Sequence, residues 1–260
     1  MSLVCVLAAV ISLVPPSSGY GYVHDPAFVL DKVIRGASRP YLPQPGDLLL
    51  FSDDRIGWTI AHNLAKTGKP HHSAIVFRLP DGTLATAQAG SHRDTPSKVG
   101  IMLLDEHLEH EAGRTGRRTR EIWVRQRKTP LTPEQSEALT RFAFEAEGRR
   151  FARIRMFFLM TPWRAKGPLR TAVVGKTDLD QKSYFCSEFI VTALAACGAI
   201  DIDLARPAAT FPRDLFFGTS RNHWVARGLC PLNRDWEAPA RWTACPQRID
   251  LPKETTTGIE

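Results

Sequence analysis

The chain has 260 residues, 43% of them hydrophobic and 23% charged, so it can bury a full core and needs no disulfide or metal staples to fold. There are no internal repeats and no coiled-coil heptads. The net charge of +7 and a pI near 9.4 point either to anionic surroundings, such as membrane lipid or cell-wall polymer, or simply to a basic surface. No stacked-aromatic or zinc-finger pattern supports a nucleic-acid partner.

Leu3 to Val14 is an apolar run. It is too short for a membrane span of ~20 residues, but it has the length of a secretory core segment. Pro15-Pro16-Ser17-Ser18-Gly19 then supplies a break with small residues. The expectation is a signal peptide over 1–19 and an extracytoplasmic destination: secreted, periplasmic or in the cell envelope. The segment before the run holds no Lys or Arg, which leaves an uncleaved anchor open.

Residues 20–42 read as a helical lead-in, with Asp25-Pro26 starting a helix through Ile34. Gly46 to Phe51 is a turn feeding a buried strand, and Ser52-Asp53-Asp54 can cap a helix from Arg55 to Lys66. His72 to Leu79 and Thr83 to Ala89 are two strands joined by Pro80-Asp81-Gly82, which is a hairpin signal. Val99 to Leu104 is a third strand, 106–120 a charged loop, and Glu121 to Arg127 a fourth strand. Thr132-Pro133-Glu134-Gln135 opens a helix that runs to about Glu147. Phe151 to Met160 is a further helical stretch, Pro162 to Asp180 a loop, and Tyr184 to Cys197 a helix closed by Gly198, with Ser183 able to cap it. The proline-rich tail, 218–260, reads as an irregular extension. The sum is an α+β fold, a central antiparallel sheet packed with helices. Cys230 and Cys245 could close a loop of about 16 residues, worth ~3 kcal/mol, or stay as two free thiols.

The chemistry centres on Cys186. A helix start lowers a thiol pKa and leaves it reachable, so a cysteine in the first turn fits a nucleophile. The competing reading is a buried structural thiol. A histidine on a neighbouring strand could take the proton, and His71 and His72 both qualify. Strand alternation sends their side chains to opposite faces. No histidine or cysteine spacing fits a metal site.

Three blocks, Gly46-Asp47-Leu48-Leu49-Leu50-Phe51, His72-Ser73-Ala74-Ile75-Val76 and Tyr184-Phe185-Cys186-Ser187-Glu188-Phe189-Ile190, resemble those of permuted NlpC-type, papain-like cysteine hydrolases, in the YiiX/YebB-like branch. Their order, histidine strand before cysteine helix, carries the resemblance. It covers about residues 43–217 and ends near Phe211-Pro212-Arg213-Asp214-Leu215. It implies a papain-like fold with Cys186 as nucleophile and His72 as base and acid. Gln88 would be the group that orients the imidazole, where the family usually has a carboxylate. The Cys186 amide, and more weakly the Tyr184 hydroxyl, would stabilise an oxyanion. Asp47 could touch this site or stabilise a turn, and Glu188 could pair with an arginine.

The resemblance implies a cysteine amidase or peptidase that works through an acyl-enzyme and needs no cofactor. A cell-wall peptide is the substrate expectation and an anionic envelope surface the expected surrounding. The alternatives are an acyl-lipid hydrolase or acyltransferase on the same fold, or a non-catalytic binding module that retains the fold. Oligomeric state is not legible.

Overall fold

The computed structural model describes residues 19–25, 27–28, 34, 36–52, 68–90, 97–113, 121–160 and 167–244. The expected signal segment, most of the helix expected from Asp25 and the helix expected from Arg55 to Lys66 lie outside these residues, as do the Cys230 and Cys245 side chains. Among the described residues, no helix is long and apolar enough to cross a membrane.

The chain is an α+β protein built on one large sheet. Its strands are β1 (Tyr22–His24), β2 (Ser38–Pro40), β3 (Leu48–Ser52), β4 (His72–Arg78), β5 (Leu84–Gly90), β6 (Lys98–Leu103), β7 (Glu121–Arg125), β8 (Arg150–Phe151), β9 (Ser183–Tyr184) and β10 (Ala240–Thr243). Their order across the sheet is β2-β1-β10-β7-β3-β4-β5-β6-β8-β9, antiparallel except for the β8–β9 pair. The helices are α1 (Leu104–Glu111), α2 (Pro133–Ala146), α3 (Arg153–Met160), α4 (Pro168–Val174), α5 (Cys186–Ala196), α6 (Pro212–Phe217) and α7 (Ala226–Asp235).

β3 and β4 form the sheet's buried centre, and their alternation feeds two cores. Leu48, Leu50, Ile75 and Phe77 point to one face, where Phe189, Ile190, Val191 and Leu194 of α5 and Leu139 and Phe142 of α2 cover them. Leu49, Phe51, Ala74 and Val76 point to the other face, where Leu104 and Leu108 of α1 join them. The small Ala85, Ala87 and Ala89 of β5 let α5 lie close to the sheet. α2 starts with a capping box: Thr132 Oγ1 accepts the Gln135 N–H at 3.2 Å, and Gln135 Oε1 accepts the Thr132 N–H at 3.1 Å.

Four stretches differ from the sequence reading. Residues 20–42, expected as a helical lead-in, supply β1 and β2, an antiparallel pair at the edge of the sheet. The charged stretch after Leu104 is helical, because Leu104, His107, Leu108 and Glu111 form a buried stripe at helical spacing. The expected loop from Pro162 contains α4, opened by Gly167 and Pro168. The described part of the tail, 218–244, belongs to the fold: β10 pairs with both β1 and β7. Arg125 ties it down from inside, donating to Leu215 O at 3.0 Å, Leu232 O at 3.1 Å and Glu237 O at 3.0 Å. Trp236 Nε1 donates to Gly46 O at 2.8 Å.

Candidate active site

β9 lies four strands from β4 in the sheet order. In a flat sheet that is ~19 Å. Cys186 follows β9 by two residues, a reach of at most ~7 Å of chain, yet its sulfur is 4.0 Å from His71 O at the start of β4. The sheet is therefore rolled, and the roll brings the start of α5 back over the start of β4.

Cys186 is the first residue of α5 and is 6% exposed. Phe185, not Ser183, occupies the N-cap, because Ser183 is still paired in β9. Glu188 replaces the side-chain cap: its Oε2 accepts the Phe185 N–H at 3.2 Å and Arg155 Nη2 at 3.0 Å. Burial pushes the Glu188 carboxyl up to about 7 even with Arg155 beside it. Burial also pushes the Cys186 thiol up to about 11, against the pull of the nearby Ser187 and Cys186 amides and Ser73 hydroxyl, which favour the thiolate. The amides do gather on the sulfur as a helix start should, but desolvation outweighs them. Ser187, fully buried, donates its hydroxyl to Thr210 O at 2.7 Å and pins the first turn.

The two histidines open β4. His71 N–H donates to Phe51 O, the residue that His72 opposes, so two residues face one in the pattern of a β-bulge. His71 turns inward: its Nδ1 lies 3.4 Å from Ser52 Oγ and its Nε2 is buried. His72 lies on the opposite face, with its ring centroid 6.0 Å from that of Phe51. His72 Nε2 is 2.5 Å from Gln88 Oε1. An amide oxygen only accepts, so Nε2 carries the hydrogen and Nδ1 the lone pair. Gly90 walls the ring: a Cβ there would stand 3.0 Å from His72 Cε1, at a φ of +150°.

The structure thus brings His72 and Gln88 into direct contact. The Cys186 thiol it brings to Ser73 and to the His71 carbonyl, the two residues that flank His72. By strand alternation the His72 ring and the thiol start from opposite faces of β4. Tyr184 is elsewhere: its ring packs on Phe142 and Phe189 and its hydroxyl donates to Leu179 O at 3.3 Å and accepts from Arg149 at 3.2 Å. Its ring and hydroxyl are both engaged by core partners. Asp47 is a turn and strand anchor, accepting from Tyr41 Oη, the Gln44 amide and the Arg127 amide. Ser73 and Gly90 join the site without having been singled out as parts of it, and His71, one of the two histidines weighed as base, lies inward beside Ser52. The small Ser73 and Gly90 beside a strand histidine were the available signal. Among the described residues, no group of three or more His, Cys, Asp or Glu side chains could hold a metal ion.

No family model and no curated protein matches the chain. Among solved structures, it is similar to the crystal structure of metalloprotein YiiX from Escherichia coli O157:H7, with a TM-score of 0.40 and 16% sequence identity, over 65% of this chain and 79% of that chain.

Proposed function

We propose that the protein is a cysteine hydrolase that cleaves an amide bond, a cell-wall peptide being the substrate class, through an acyl-enzyme on Cys186. The observation that carries the reading is the helix-start cysteine seated against Ser73 and the His71 carbonyl, beside a histidine held by Gln88. In this reading Nδ1 of His72 takes the thiol proton as sulfur attacks the carbonyl, and the imidazolium returns it to the leaving amine. Water, deprotonated by the same ring, then releases the acid and frees the thiol. Because burial favours the neutral thiol, the proton moves during attack and no standing ion pair precedes it. Gln88, which holds Nε2, is in this reading the orienter of the ring. The Ser187 and Cys186 amides would stabilise the oxyanion.

Two other readings have their own support. His71, on the Ser73 side of β4, is the rival base. The raised Cys186 thiol favours a binding module that keeps the fold without turnover. Hydrolysis of peptide and acyl substrates by the Cys186→Ala, His72→Ala and His71→Ala variants separates them. Loss in the first two supports the proposal. Loss with His71→Ala but not His72→Ala transfers the base, and activity that survives Cys186→Ala removes the nucleophile.

A further inference from the structure

α3 and α4 turn apolar side chains outward. Ile154 and Phe157, three residues apart on α3, are 75% and 66% exposed, and Leu169 and Val173, four apart on α4, are 75% and 69% exposed. Such spacings place each pair on one helix face. The inward faces are accounted for: Met156 packs on the core, Arg155 binds Glu188, and Thr171 accepts from Asn222 at 3.0 Å. Nothing within the described fold covers the outward faces.

Charge says what would cover them. From Arg149 to Thr177 the sequence has no Asp or Glu. Arg153, Arg170 and Lys176 are exposed among the apolar residues. A second protein surface would accept the apolar side chains but would need matching acids. An anionic bilayer offers both an apolar interior edge and a negative head-group layer, and basic helices with outward Phe and Leu are suited to lie in it.

We propose that α3 and α4 form an interfacial docking surface for an anionic phospholipid bilayer. α3 begins just after β8, and β8 pairs with β9, the strand that leads into Cys186. The α3 part of the bound surface therefore lies alongside the candidate site, with Arg155 of α3 on Glu188 of α5. The inference does not depend on catalysis, since Cys186→Ala should bind as the wild type does.

The test is co-sedimentation of the full chain with vesicles of phosphatidylcholine containing phosphatidylglycerol, compared with phosphatidylcholine alone. The wild type should partition preferentially to the anionic vesicles, and added salt should weaken it. The double substitution Ile154→Asp and Phe157→Asp should cut partitioning roughly tenfold or more, given the apolar burial it removes. Leu169→Asp with Val173→Asp gives a second, independent reading, and Leu42→Asp, at a position 64% exposed outside this segment, should leave binding intact. Circular dichroism confirms that each variant folds. No wild-type binding, equal binding to both vesicle types, or unaltered binding by both double variants would overturn the proposal. The last result is what the apolar N-terminal run would give if it alone drove binding. Concentration-dependent self-association abolished by the same substitutions, without vesicle binding, would overturn it in favour of a second copy of the chain.

Discussion

Gly90 offers a sharp test of how the His72 ring is held. At Gly90→Ala the new Cβ would lie 3.0 Å from His72 Cε1 and 3.7 Å from Phe151 Cε2, and φ is +150°, where L residues rarely sit. Holding such a backbone costs about 1–3 kcal/mol. The contact adds a further cost, because 3.0 Å forces the ring to give way and loosens its bond to Gln88, a bond worth ~1 kcal/mol. The sum is about 3 kcal/mol, or ~6–12 °C in Tm for a domain of this size. Gly82→Ala is the control: φ is +90° but nothing lies within 4 Å of its Cβ, so only the backbone cost applies. Thermal unfolding followed by circular dichroism reads both. NMR of ring-labelled histidine should show the His72 Cε1 resonance displaced in Gly90→Ala and unchanged in Gly82→Ala. A Gly90→Ala protein that melts with wild type and keeps its His72 resonance would refute the packing described around the ring.

The remaining predictions use other parts of the site. Glu188 has its carboxyl raised from 4.5 to about 7, so its stabilising contribution is full below pH 4.5 and is lost as pH rises through 7. Relative to Glu188→Gln, the wild type should lose about 2–3 kcal/mol between those values by urea unfolding, and a flat difference would mean the carboxyl is not desolvated. Tyr184→Phe should cost about 1 kcal/mol through the lost Leu179 and Arg149 bonds and leave turnover unchanged, whereas a large fall in kcat alone would return its hydroxyl to the oxyanion. Cys186, with its thiol pushed from 9.0 up to about 11, should react with iodoacetamide roughly tenfold slower than an unperturbed thiol near pH 8, since fewer thiolates are partly offset by greater nucleophilicity. Peptide mapping after timed labelling reads this, and rapid labelling at neutral pH would show an open, solvated thiol.

Local signals revealed much of this fold and long-range ones did not. The continuous apolar runs Leu48 to Phe51 and Ala74 to Phe77 marked the buried central strands, and Thr132-Pro133-Glu134-Gln135 marked the start of α2 to the residue. α1 was hidden because its buried stripe includes His107 and Glu111, polar residues that a hydrophobic pattern skips. β10 was hidden because four residues among prolines carry little signal, and its strand character comes from pairing with β1 and β7, hundreds of residues away in part. At the site, Cys186 at a helix start was readable from the residues, and Gln88 as the partner of His72 came only from the family resemblance. The orientation of His71 was not, because it depends on the bulge opposite Phe51. Nor was the buried thiol, since its desolvation comes from the roll of the sheet, which no local stretch of sequence encodes.

The central claim is acyl transfer to Cys186 assisted by His72. Intact-protein mass spectrometry during hydrolysis of a p-nitrophenyl acyl ester tests it most directly. The account predicts one added acyl group, mapped to Cys186, that is lost in Cys186→Ala and strongly reduced in His72→Ala while His71→Ala still forms it. An adduct on another residue, or one on Cys186 that forms equally fast in His72→Ala, would contradict it.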